Sequence, residues 1–126
     1  MPKKSVNQDI TQLLDVIIDA AHEKKAHDVT TIDFANLRSS LCDYFLVANA
    51  ESTTQVTAIA DHIQEVVKEK HGIWPAHQEG YENAQWILLD YHSTVVHIFQ
   101  TEYRKFFNLE GLWADALIIH HEDIKK

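Results

Sequence analysis

Cysteine occurs once, at Cys42, so an internal disulfide and a cysteine-based metal cage are both excluded. Glycine is nearly as scarce. Gly72, Gly80 and Gly111 stand too far apart to build the clustered-glycine loops that cradle phosphate in P-loop and dinucleotide-binding enzymes. Long apolar runs are missing: the longest, Tyr44 to Ala48, falls far short of the ~20 residues of a membrane-spanning helix. Met1 to Asp9 has neither an apolar secretion segment nor an Arg-rich import pattern, so the expected location is cytoplasmic. Basic residues are in deficit, 11 against 19 acidic, for a net charge of −8. That field repels nucleic-acid phosphates and steers basic protein partners instead. What is present is ordinary: 126 residues, 45% hydrophobic and 24% charged. This suffices for one domain with one packed core and is too apolar for a disordered chain.

The spacing of Ile10, Leu13, Leu14, Ile17, Ile18 and Ala21 predicts an amphipathic helix. Ser5 and Gln8 have capping-box spacing at its start, and it fades around Lys25 to His27. Val29 to Phe34 reads as a β-branched strand, and Asn36 to Leu41 as a polar turn or one helical turn. Tyr44 to Ala48 is continuously apolar, as in a strand buried on both faces. A second helix opens with a capping box from Ser52 to Gln55, carries Val56, Ile59, Ala60, Ile63, Val66 and Val67 on one side, and is capped by Gly72. Ile73 to Ala76 reads as an extended piece that Pro75 confines to a sheet edge. Short helical pieces are expected at Glu102 to Phe107 and Leu109 to Ala114, then a polar, frayed tail from Ile119. The fold class is α/β: a single domain with a mixed β-sheet flanked by helices.

Trp86 to Tyr91 and Thr94 to Phe99 flank His92-Ser93, which predicts a hairpin with a two-residue turn. Leu88 then faces His97, Ile87 faces Ile98 and Trp86 faces Phe99. Alternation puts Ile87, Leu89, Val96 and Ile98 on an apolar core face, with Tyr91 and Thr94 at the turn end. The other face carries Trp86, Leu88, Asp90, Val95, His97 and Phe99. A carboxylate, an imidazole and two aromatics on one patch have the composition of a protein-binding surface. The plainer reading is that a helix covers this face and that Asp90 and His97 satisfy each other. A one-residue slip would exchange the faces.

Nine histidines raise the question of a metal, yet none forms a His-x-x-x-His pair on an expected helix, and Asp19 with His22 is an ordinary surface pair. No metal site is expected. Cys42 has no identifiable His or Asn partner and reads as a small buried hydrophobe. Ser52 fits its cap, and no Gly-x-Ser-x-Gly elbow exists. Asp33, Asp43, Glu79 and Asp90 could gather around Mg²⁺ if the sheet joins them, but no Asp-x-Asp pair accompanies them. Trp74, Trp86 and Trp113 read as core anchors. The Lys3-Lys4 and Lys125-Lys126 pairs are too short for nucleic-acid patches.

Several stretches together resemble the ribosomal silencing factor family, also called Iojap-like. They are Asp43-Tyr44-Phe45-Leu46-Val47, Ser52 with Gln55-Val56 and Ile59-Ala60-Asp61, Glu79-Gly80, Trp86 to Tyr91, Val95 to Phe99, Arg104, and Leu109-Glu110 with Leu112 to Ala116. The resemblance spans residues 10–116, leaving 1–9 as an N-terminal extension and 117–126 as a tail. It implies a nucleotidyltransferase-like fold without the catalytic motifs, and no enzymatic activity or cofactor. It also implies binding to large-subunit ribosomal protein fourteen, blocking subunit joining and lowering translation when nutrients are short. No nucleic-acid specificity or membrane association is implied, and family members are often dimeric, here with the edge near Trp74 available. Carried over by position, the contact falls on Trp86, Asp90, His97 and Phe99, then on Leu88 and Tyr91; Glu79, Arg104 and Trp113 also match. His92-Ser93 replaces the family's usual Gly-Asp turn, Phe107 a usual Tyr, and Ala50 a usual Gly. Two rivals stand beside this reading: an assembly factor for the large subunit using the same surface, and a nucleotidyltransferase-like enzyme using Asp43 and Asp90.

Overall fold

The structure, a computed structural model, describes residues 2–34, 37 and 42–121. The first helix, α1, runs Pro2–Glu23, so Ser5 lies inside it rather than capping it. Proline suits a helix start because its fixed φ is helical and it has no N–H to satisfy there. Lys25, at φ 61°, turns the chain out, and Ala26 N–H donates to Ala21 O at 3.0 Å. Strands β1 (His27–Asp33) and β2 (Tyr44–Ala50) follow and pair antiparallel. The turn expected at Asn36 to Leu41 lies, Leu37 apart, outside the described residues. Helix α2 spans Thr53–His71, with Ser52 Oγ accepting from Gln55 N–H at its start and Gly72, at φ 74°, closing its end. Only half of the capping box forms, because the Gln55 amide reaches away to Lys24 O at 3.5 Å.

Beyond α2 come β3 (His77–Glu79), β4 (Trp86–Asp90), β5 (Thr94–Gln100), α3 (Thr101–Phe107), α4 (Leu109–Leu112) and β6 (Leu117–His121). The six strands form one sheet in the order β3-β4-β5-β2-β1-β6. β2 and β5 run parallel, connected through α2, β3 and β4, and the other pairings are antiparallel. Two expectations are corrected at the sheet's edges. The edge strand begins at His77, two residues beyond Pro75, with Ala76 N–H donating to Asp90 O at 2.8 Å. The supposed frayed tail contains β6, because Leu117-Ile118-Ile119 is an apolar run, β-branched at its two isoleucines, and the strand pairs with β1 from Leu117↔Asp33 to His121↔Val29.

Each sheet face has its own core. On one, α1 and α2 pack Leu13, Ile17, Ile59 and Ile63 against Leu46, Ile87, Leu89, Val96 and Ile98. On the other, Ile32, Phe34, Val47, Phe99 and Leu109 form a smaller cluster under α3 and α4.

The hairpin register is the one expected, with Trp86↔Phe99, Leu88↔His97 and Asp90↔Val95. Its turn departs from the usual two-residue forms. Tyr91 N–H donates to Thr94 O, while Ser93 N–H donates back to Tyr91 O, both at 2.9 Å, with His92 between them at φ 72°. That is a γ-turn, a strained conformation for any residue with a Cβ. His92→Gly is therefore expected to raise the unfolding free energy by about 1 kcal/mol, a Tm rise of roughly 4 °C. Thermal melts of the two chains check it, and an unchanged or lower Tm would show that the turn carries no such strain.

Candidate functional site

Alternation along β4 and β5 turns Trp86, Leu88, Asp90, Val95, His97 and Phe99 toward the α3/α4 side of the sheet. The structure divides them by depth. Trp86, Leu88, Asp90 and Val95 are half-buried, whereas His97 is 4% and Phe99 0% exposed. Tyr91 stands on the opposite side, buried in the α1/α2 core.

The plainer reading of this face holds in one part and fails in the other. Short helices do cover its centre, but Asp90 and His97 do not satisfy each other. Trp86 Nε1–H donates to His97 Nδ1 at 3.0 Å, and Asp90 Oδ1 accepts from His92 N–H at 2.8 Å. The acceptor role of Nδ1 puts the ring proton on Nε2, which has no partner among the described residues. Burial pushes the His97 pKa down to about 3, so the imidazole is neutral at physiological pH.

Around this pair the rings form a continuous track. Trp86 stacks on Phe99 at 4.8 Å between centroids, and Phe107 lies 4.8 Å from Trp86. On the other flank His97 meets Phe45 at 4.4 Å, Phe45 meets Phe34 at 4.8 Å, and Phe34 meets Trp113 at 4.9 Å. Such pairs contribute roughly 0.5–1.5 kcal/mol each beyond their buried area, so the face is stiff. Its two ends come to the surface through Phe106, Phe107, Leu112 and Trp113, with Phe106 79% and Leu112 71% exposed.

The sequence reading missed Phe106, Phe107 and Leu112 as surface groups and took Trp113 for a core anchor. Adjacent helical positions point about 100° apart, and the seven residues of α3 show too little periodicity to tell which of Phe106 and Phe107 meets water. Trp74 is likewise exposed, beside β3, with Lys68 Nζ 5.5 Å from its ring centre. Arg104 and Glu110 are joined at 2.7 Å under the face. Glu79 binds His77 at 2.6 Å on β3.

Little in the site favours bond-making chemistry. Asp33, Asp43 and Asp90 lie at the turn end of the sheet, but Glu79 does not join them. Among the described residues no three His, Cys, Asp or Glu side chains converge as metal ligands. The Cys42 thiol is pushed up to about 11, by burial first and then by Asp43 and Asp90, which leaves it protonated and a poor nucleophile. No helix of the described residues is long and apolar enough to cross a membrane.

Comparison with known proteins agrees over nearly the whole chain. The family model described as ribosomal silencing factor during starvation matches residues 7–126. A ribosomal silencing factor from Halalkalibacterium halodurans is 37% identical over 113 residues, covering 90% of this chain and 95% of that one. Another, from Bacillus subtilis, is 38% identical over 104 residues, 82% of this chain and 86% of its own. A crystal structure of a Chromobacterium violaceum protein, 31% identical, matches with a TM-score of 0.78 over 83% of this chain and 86% of that one.

Proposed function

We propose that this chain, which belongs to the ribosomal silencing factor family, binds ribosomal protein fourteen on the free large subunit and so blocks joining of the small subunit. In this reading the protein acts in the cytoplasm when nutrients are short, by steric exclusion, without catalysis or a cofactor. The observation that carries it is the aromatic face, a rigid apolar track whose exposed ends need a partner to leave water. Exposed clusters of this kind mark protein interfaces, and aromatic anchors supply most of their binding energy. The net charge of −8 favours a basic partner such as a ribosomal protein.

The contact row is Trp86, Leu88 and Asp90, extended by Phe107, Leu112 and Trp113. His97 and Phe99 form the floor that holds Trp86 in place, and Tyr91 supports β4 from behind. A second copy has a separate place to pair, the short open edge of β3 beside exposed Trp74.

Sedimentation with separated ribosomal subunits tests the reading. The protein should migrate with the large subunit alone and reduce the joined particles formed on adding small subunit at raised Mg²⁺. Binding without loss of joining would make it an assembly factor, and no binding to either subunit would sink both roles. Trp86→Ala should weaken large-subunit binding by about 2 kcal/mol, roughly thirtyfold. Unchanged affinity in a variant with native near-UV circular dichroism would remove Trp86 from the contact.

A further inference from the structure

A cavity of about 270 Å³ opens at the Phe107 end of the aromatic face, bounded by Trp86, Tyr103, Phe107 and the loop before β4. We propose that it is a pocket for one guanidinium group, an arginine side chain offered by the basic partner. The proposal rests on the reading above that such a partner docks on this face.

Size comes first. Cofactor and drug-sized ligands occupy about 300–1,000 Å³, so this cavity suits a single long side chain better. Its chemistry then selects the side chain. Three aromatic rings line it, Glu82 brings a carboxylate, and the Asn83 and Gln85 amides bring carbonyl oxygens, with no Lys, Arg or His in the lining. Glu82 is exposed and has no cationic partner among the described residues. A cation is attracted to the rings and the carboxylate alike. Between the two basic side chains, the planar guanidinium can stack on a ring while bonding a carboxylate bidentately, which an ammonium cannot.

The wall carrying Glu82 is preset. Gly80 sits at φ 94°, and a Cβ there would come within 1.9 Å of Trp86 O, so only glycine lets the loop lie this close to β4. Ala84 N–H donates to Gly80 O at 2.8 Å, and Gln100 N–H donates to Gln85 O at 2.9 Å. The first bond closes the loop on itself and the second ties its end to the last residue of β5 before any ligand arrives, which lowers the ordering cost of binding.

The full chain can be titrated, in ¹⁵N-labelled form, with acetyl-Gly-Arg-Gly-amide and with its neutral isostere, the citrulline peptide. The Trp86 indole N–H, fixed on His97 Nδ1, is the reporter. The arginine peptide should shift that signal and the backbone signals of 82–86 and 103–107 with a millimolar Kd. The citrulline peptide should bind about fivefold more weakly or worse, and Glu82→Gln should weaken the arginine peptide by a similar factor. Equal affinity for the two peptides, indifference to Glu82→Gln, or shifts scattered over other acidic surfaces would overturn the proposal. No ribosome enters this titration, so its failure and the failure of large-subunit binding are separate results.

Discussion

Arg104→Ala is expected to lower the unfolding free energy by about 3–5 kcal/mol, a large part of the stability of an ordinary domain. Arg104, 6% exposed, ties the α3/α4 layer to the sheet. One terminal nitrogen donates to Asp28 O at 2.6 Å and Asn49 Oδ1 at 2.8 Å. The other donates to Thr30 Oγ1 at 3.0 Å and Glu110 Oε2 at 2.7 Å. Those partners sit on β1, β2 and α4. Asp28 lies within the β1 irregularity, at φ 53°, which turns its carbonyl out of the β1–β2 ladder for the arginine to use. Removing the guanidinium leaves the buried Asn49 and Thr30 groups short of a donor and Glu110 without its counter-charge, and the cost of those orphaned groups sets the magnitude. Arg104→Lys should recover little, since one ammonium cannot reach four acceptors in a fork. Arg104→Met with Glu110→Gln should lose less than Arg104→Ala, because both charges go together. Urea denaturation reads all three. A midpoint near the wild-type value for Arg104→Ala would mean that α3 and α4 are held by their apolar contacts alone.

That hub was beyond reach of the sequence for a simple reason. Its acceptors lie at positions 28, 30, 49 and 110, and no local pattern connects them to Arg104. The hairpin was legible because its information is local: two apolar runs, a two-residue gap and period-two alternation determine register and faces together. The depth of each face was not, because coverage depends on where α3 and α4 return, and a seven-residue and a four-residue helix carry too little periodicity to show it. His97 and Phe99 therefore read as surface when they are floor. β6 was hidden by the polar His120 and His121, which an edge strand tolerates because one edge and part of each face meet water. Arg104, Trp86 and Trp113 could be aligned with the family, but only the packing shows Arg104 buried among its acceptors, Trp86 half-buried and Trp113 exposed.

Acid should loosen the protein through His97. Its folded pKa is about 3, against about 6.5 for an unfolded histidine. Between those values the unfolded chain holds a proton that the folded chain refuses, so unfolding takes up a proton and stability rises with pH. The contribution is complete above about pH 6.5 and is lost toward pH 3 at about 1.4 kcal/mol per pH unit, or about 2 kcal/mol by pH 5. The refusal has a geometric cause. Nδ1 is already occupied as acceptor from the Trp86 indole, and Phe45, Trp86 and Phe99 surround the ring. An imidazolium would lose the Trp86 hydrogen bond as well as its hydration. His97→Gln keeps an acceptor for the indole and cannot titrate, so it should begin less stable at pH 7.5 and close on the wild type by about 2 kcal/mol at pH 5. Carboxylates and the other histidines titrate in both chains and cancel in the difference. Parallel stability curves would mean that His97 finds room for its proton, and with it that the floor beneath Trp86 is softer than its packing implies.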